Sequence, residues 1–207
     1  WRIHGKPTFA FEGNILVSAS SLPWMAEILG LSDVSALVDL AATAEPNGPG
    51  FVPAFVGLGA PYWDSDARAL FSQINFSTTR AQMARAVTDS IAFQVHDVFA
   101  AMSSQSDHRF GALFVDGGPS RNRFLMQCVA DILGHALIQR EAPEVSALGA
   151  AYLAGLFLGF WDMTAISLLP GKGNLIQPET NVCTERLKTW DDAIARSTFR
   201  PSAIKCE

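Results

Sequence analysis

Between Arg80 and Ser104 the apolar residues Met83, Val87, Ile91, Val95, Val98, Phe99 and Met102 recur at intervals of three and four. That spacing predicts one apolar stripe along an α-helix. Thr79 and Gln82 have the separation of a capping box at its start. A second amphipathic run, from about Ser120 to Leu133, predicts a helix closed by Gly134. A third, roughly 184–197, predicts a helix anchored by Trp190.

Other stretches have strand character. Residues 8–19, "TFAFEGNILVSA", are rich in β-branched and aromatic side chains and predict strands, with Gly13 at a turn or bulge. "FVPAFVGLGAPYWD" (51–64) predicts a strand that runs into an ordered Gly/Pro loop, and "ALFVD" and "HALIQR" predict two more strands. "SSLPWMAEILG" predicts a short helix, with Ser20 or Ser21 as cap, Pro23 in the first turn and Gly30 at the end. Residues 31–50 are mixed, with a turn at "EPNGPG", and "LPGKGN" predicts a loop.

"ALGAAYLAGLFLGFW" (147–161) is too short to span a bilayer, which takes about 20 residues, and predicts a buried helix over 147–160. Ala147, Gly149, Ala150, Ala151, Ala154 and Gly155 make it a helix of small residues. Each glycine costs about 1 kcal/mol of helix propensity, so another backbone or a ligand is expected close by. Strands alternating with helices predict an α/β layered domain; the strand order is not legible.

Composition narrows the function classes. The chain has 207 residues, 49% of them hydrophobic and 17% charged, and a net charge of −5. It can bury a substantial core, and its acidic balance argues against nucleic-acid and anionic-membrane partners, which reward clustered Lys and Arg. Cys128, Cys183 and Cys206 lack metal or disulfide spacing, and His4, His96, His108 and His135 are scattered. With no secretory signal visible, a cytoplasmic protein without a metal site is expected. The first residue is Trp1, so a piece of a longer chain is expected.

"LFVDGGPSRNRFLMQCVADILG" (113–134) carries the candidate chemistry. Gly117 and Gly118 free the backbone to turn with positive φ and let a ligand approach without a Cβ in the way, just where a helix start offers unpaired N–H groups. The alternative is a tight strand-to-helix connection in which Asp116 is only the cap. Neither a G-x-G-x-x-G fingerprint nor a P-loop is present.

Three blocks, 51–68, 115–134 and 144–161, stand in order and at family-like spacing. Together with "GKPTFAFEGNI…PW" (5–24) and "WDDAI" (190–194), they resemble the C-terminal half of the FGGY carbohydrate kinases, with "GLGAPYWD" most similar to the glycerol kinases among them. The resemblance implies an α/β, ribonuclease-H-like (actin-like ATPase) lobe, a mixed sheet flanked by helices, occupying 1–207 as a nucleotide-binding domain. It implies transfer of the γ-phosphoryl of MgATP to a polyol or sugar hydroxyl. Gly117 and Gly118 would lie against the nucleotide, and Asn122, four residues on from Gly118, would supply an amide near the adenine. Ala19 stands where relatives carry a nucleotide-contacting glycine, and Pro23 where they carry a glutamine. Proline has neither an amide side chain nor an N–H, so a contact there is lost or rerouted.

"ARALFSQINFS" (67–77) also departs from the glycerol-kinase pattern, which opens the acceptor to another polyol or a ketose. The catalytic aspartate, the phosphate-cradling loops and most of the acceptor pocket are implied upstream. The chain alone is therefore expected to be inactive, with ATP, Mg2+, the polyol and an N-terminal lobe of the same protein as partners and a homo-oligomer allowed. Apolar surface is expected where that lobe would dock. The reading from another class is a non-catalytic actin-like module that binds nucleotide or a protein, favoured by Ala19 and Pro23.

Other residues read structurally. Asp64 and Asp66 are expected in a loop with local Asx turns. Trp63, Trp161 and Trp190 are expected as core or lobe-packing aromatics, and His96 and His135 as structural. "GKG" at 171–173 has too little context for a phosphate loop.

Overall fold

The computed structural model describes residues 2–3, 5–106, 110–140, 145–168, 173–180 and 184–200. These divide into two compact units, one gathering the residues up to 106 with 184–200, the other 110–180. In chain order the elements are β1 (Arg2–Ile3), β2 (Lys6–Pro7), α1 (Ser21–Ile28), α2 (Val34–Ala42), β3 (Gly50–Val52), β4 (Leu70–Ser72), α3 (Arg80–Ser104) and β5 (Leu113–Val115). A 3-10 turn (Gly118–Arg121) follows, then α4 (Arg123–Leu133), β6 (Leu137–Arg140), α5 (Val145–Leu158), α6 (Met163–Ser167), β7 (Gly173–Ile176) and α7 (Thr184–Ser197).

The first unit is organised around α3, which starts where the periodicity put it and with the full capping box. Thr79 Oγ1 accepts from Gln82 N–H, and the Gln82 side chain accepts from Thr79 N–H. Its middle is buried on all sides, from Ala86 to Gln94, rather than along one stripe, because α1, α2 and β3 pack around it and α7 meets it through Trp190 on Phe93 and Arg186 on Asp89. Trp24, Phe51, Phe55 and Phe71 form an aromatic cluster with centroids 4.4–6.1 Å apart. Trp190 of α7 is 1% exposed and stacks on Phe93 at 5.4 Å; burying such a ring contributes about 1.5–3 kcal/mol.

The strands expected over 8–19 are a correction: residues 8–15 form no ladder. Phe9 and Phe11 stand exposed there. The backbone at Gly13 instead presses on α3, where a Cβ would strike Val98, and Asn14 gives its carbonyl to Ala60 N–H at 3.0 Å. The strand expected from 51 is short because Pro53 removes a ladder donor just after Val52.

The second unit holds a mixed sheet of order β5-β6-β7, parallel between β5 and β6 and antiparallel between β6 and β7. The amphipathic α4 buries Leu125, Met126, Cys128, Val129, Ala130, Ile132 and Leu133 and ends on Gly134 at φ 65. α5 corrects a second expectation. Of its fourteen residues only Gly155 is buried, and Phe157 is 90% exposed. A Cβ at Gly149 would meet nothing within 4 Å, and Gly155 is covered by the Trp161 indole. No helix among the described residues is long and apolar enough to cross a membrane.

Candidate nucleotide site

β5 ends at Val115 and hands the chain to Gly117, whose backbone sits at φ 86, ψ 176. That region is essentially reserved for glycine, so the sequence at 117 is dictated by the turn. Beyond it, the 3-10 turn runs from Gly118 to Arg121. A Cβ added at Gly117 or at Gly118 would meet nothing within 4 Å. The pair forms an open floor.

Three contacts hold that floor still. Ser120 is 4% exposed and its Oγ donates to Gly117 O at 2.8 Å. Gln139, which pairs in register with Val115, donates its side-chain N–H to Ser120 O. Asn122 caps α4: its Oδ1 accepts from Leu125 N–H at 2.9 Å, which leaves Nδ2 as its remaining polar atom.

Two local expectations change here. The helix does not run on from Ser120, because Asn122 at ψ 111 separates the 3-10 turn from α4. Gly118 and Asn122 thus share no α-helical face. Asp116 is not the cap either; the 3-10 turn begins without any side-chain cap.

Gly117, Gly118 and Asn122 are brought together in the second unit. Ala19 lies in the first, half-buried, where its carbonyl accepts from Leu22 N–H at 3.1 Å as the chain enters α1. Pro23 is the third residue of α1, a first-turn position whose N–H has no helical partner to lose.

The Gly57–Asp66 loop also belongs to the first unit. Asp64 Oδ1 accepts from Asp66 and Ala67 N–H at 2.9 and 3.0 Å, the Asx turn expected, and from Arg200 at 2.6 Å. Of the two places expected for Trp63, core or lobe-packing, the core is excluded: it is 69% exposed and held at φ 52. Trp190 is core as expected. Trp161 is partly exposed and donates to Tyr152 O at 2.9 Å.

Two acids on α3, the buried Asp89 and the half-buried Asp97, escaped the sequence. Asp89 pairs with Arg85 at 2.9 Å and with Arg186 at 2.7 Å. Asp97 Oδ2 accepts from Tyr62 Oη and from Trp190 Nε1, each at 2.6 Å, while Oδ1 lies 3.2 Å from His96 Nδ1. Burial, then the Asp97 carboxylate, raises the Tyr62 hydroxyl far above the usual phenol range. The available signal was polarity inside an apolar helix, eight residues apart. A cavity of about 240 Å³ beside Asp89 is lined by Phe93, Trp190 and the 46–50 turn. The Asp89 charge is already satisfied there by two arginines.

The "GKG" stretch lies mostly outside the described residues, as do Cys183, Cys206, His4 and His108; Gly173 opens β7.

Residues 3–158 match the model of the FGGY family of carbohydrate kinases, C-terminal domain.

The chain belongs to that family.

An apulose kinase from Pectobacterium atrosepticum is 45% identical over 203 residues, covering 96% of this chain and 41% of that kinase. Glycerol kinase 2 from Thermotoga maritima is 44% identical, covering 95% of this chain and 41% of the relative. Among solved structures, Plasmodium falciparum glycerol kinase with ADP superimposes with a TM-score of 0.78 at 31% identity, over 90% of this chain and 38% of that one. The fold class is the α/β lobe of the actin-like ATPases that these FGGY kinases share. The chain spans about two-fifths of the length of these relatives.

Proposed function

We propose that residues 1–207 are the C-terminal domain of an FGGY kinase and supply its adenosine-binding surface, in a protein that transfers the γ-phosphoryl of ATP to a hydroxyl of a polyol or sugar. The observation that carries this reading is the open Gly117–Gly118 floor, with Gly117 in a glycine-only conformation, beside the Asn122 cap. A backbone without side chains lets a flat ligand lie within van der Waals reach, and Asn122 Nδ2 is a donor suited to a purine ring nitrogen.

Phosphoryl transfer rests on positioning and on charge neutralisation around the γ-phosphate. Magnesium supplies that neutralisation when it is bound with the phosphates. The resemblance implies the catalytic aspartate and the phosphate-cradling loops upstream, so this chain is assigned no metal ligand and no catalytic residue. Its part is to seat and orient the nucleotide, and by itself it is expected not to turn over.

Glycerol is the acceptor proposed first, because glycerol kinases recur among the relatives. A ketose is the second reading, favoured by the 45% identity to an apulose kinase. The test uses the full-length protein, with calorimetric titration of ATP and an ADP-release assay offered glycerol and apulose in parallel. Binding of ATP with turnover of one acceptor supports the reading; a full-length protein that binds no adenine nucleotide overturns it.

A further inference from the structure

In a 3-10 helix three residues make one turn, so positions i and i+3 lie one above the other. Gly118 and Arg121 are the first and last residues of the 3-10 turn, which places Arg121 on the same side as the bare face of Gly118. Its neighbours are fixed: Ser120 is buried and bonded to Gly117 O, and Asn122 is committed to the α4 cap. Arg121 itself is exposed. The ion pairs among the described residues join Arg85 and Arg186 to Asp89, His96 to Asp97 and Arg200 to Asp64, and none uses Arg121. The turn thus carries a guanidinium on the side of the open floor, and no ion pair among the described residues engages it.

We propose that Arg121 is a nucleotide-base contact of this chain, its guanidinium plane stacking on the adenine that lies over Gly118. This rests on the nucleotide site proposed above. A guanidinium is planar and weakly hydrated, and it stacks on aromatic faces where an ammonium does not. The adjacent Asn122 amide suits the edge of the same ring, so ring face and ring edge meet consecutive residues. Arg123 carries the same charge one residue past the cap, on α4 and outside the eclipsed pair.

The test titrates the full-length protein with adenosine, ADP and ATP, as wild type and as Arg121→Ala, Arg121→Lys and Arg123→Ala. Stacking predicts that Arg121→Ala weakens all three ligands by one common factor, about 3- to 30-fold. Lysine recovers only part of it, and Arg123→Ala stays at the wild-type value. If adenosine binds Arg121→Ala as it binds the wild type, the inference is overturned, whether or not ATP and ADP bind more weakly. An equal loss in Arg123→Ala overturns it too, since that loss reports general charge. A wild-type protein that binds none of the ligands removes the nucleotide site and this contact together, whereas a wild type that binds while Arg121→Ala is unaltered leaves the site standing.

Discussion

The indole Nε1 of Trp190 donates to Asp97 Oδ2 at 2.6 Å. Because Tyr62 Oη donates to the same oxygen, one carboxylate joins α7, α3 and the Gly57–Asp66 loop. Removing it strands two half- or fully buried donors at once.

Asp97→Ala is therefore expected to destabilise the chain by about 3–5 kcal/mol, the scale for breaking a buried charged network from one side. Tyr62→Phe leaves the Trp190 bond in place and is expected to cost about 1.5–3 kcal/mol. Urea unfolding midpoints followed by tryptophan fluorescence check both; equal losses in the two variants would contradict the shared-acceptor arrangement.

Asp191 lies beside this network. Desolvation, then the Asp97 charge, raises its carboxyl above the ordinary value of 3.8. A carboxyl whose folded pKa is raised favours the folded state while protonated, and that advantage is lost as pH rises through the folded value. Asp191→Asn is accordingly expected to raise the melting temperature at pH 7 and to give no gain below pH 3.8. Thermal scans across that range test the sign.

Asp33 gives the opposite slope. Its carboxylate caps α2 by accepting from Ala36 N–H at 2.9 Å, and that bond lowers its pKa. The stability it supplies is complete above the unfolded value and is lost as pH falls through the lower folded one. Asp33→Asn, which keeps a capping oxygen, should flatten this part of the acid limb without changing the neutral melting temperature much.

Gly118→Ala separates fold from ligand. The added methyl meets nothing within 4 Å; the entropy that alanine removes from the unfolded chain is offset by Pro119, which disfavours a right-handed conformation in a preceding non-glycine residue, so stability should change little. On the proposed nucleotide surface the same methyl lifts the ligand off the backbone. ATP affinity measured by calorimetry is expected to fall while the melting temperature does not.

Gly155→Leu tests the packing of α5. Its side chain would take the place of the Trp161 ring and break the Trp161–Tyr152 hydrogen bond. Overpacking of this kind costs about 1–3 kcal/mol, and Trp161 emission should shift to the red as the indole moves into water.

Local signals read well where one short-range cause dominates. The capping box at Thr79 and Gln82, the αL glycine at 134 and the span of α7 were all legible, because each is decided by a few neighbouring residues. The glycines of the strand-to-helix turn were legible for the same reason, and the family because several separate blocks coincide in order along the chain. Residues 8–15 and α5 were not, because aromatic or apolar content states that a segment seeks a partner without naming one. Asp89 and Asp97 escaped for a related reason: one partner of each, Arg186 and Trp190, lies 97 and 93 residues away in the chain.

Gly117 combines two duties that its neighbour does not. Its dihedrals exclude any side chain, and its carbonyl also receives Ser120 on the way into α4. A replacement at 117 would rotate the entrance to that helix in the same stroke that roughens the ligand surface. Selection or engineering can therefore tune recognition at 118 one atom at a time, while 117 admits a single letter of the alphabet.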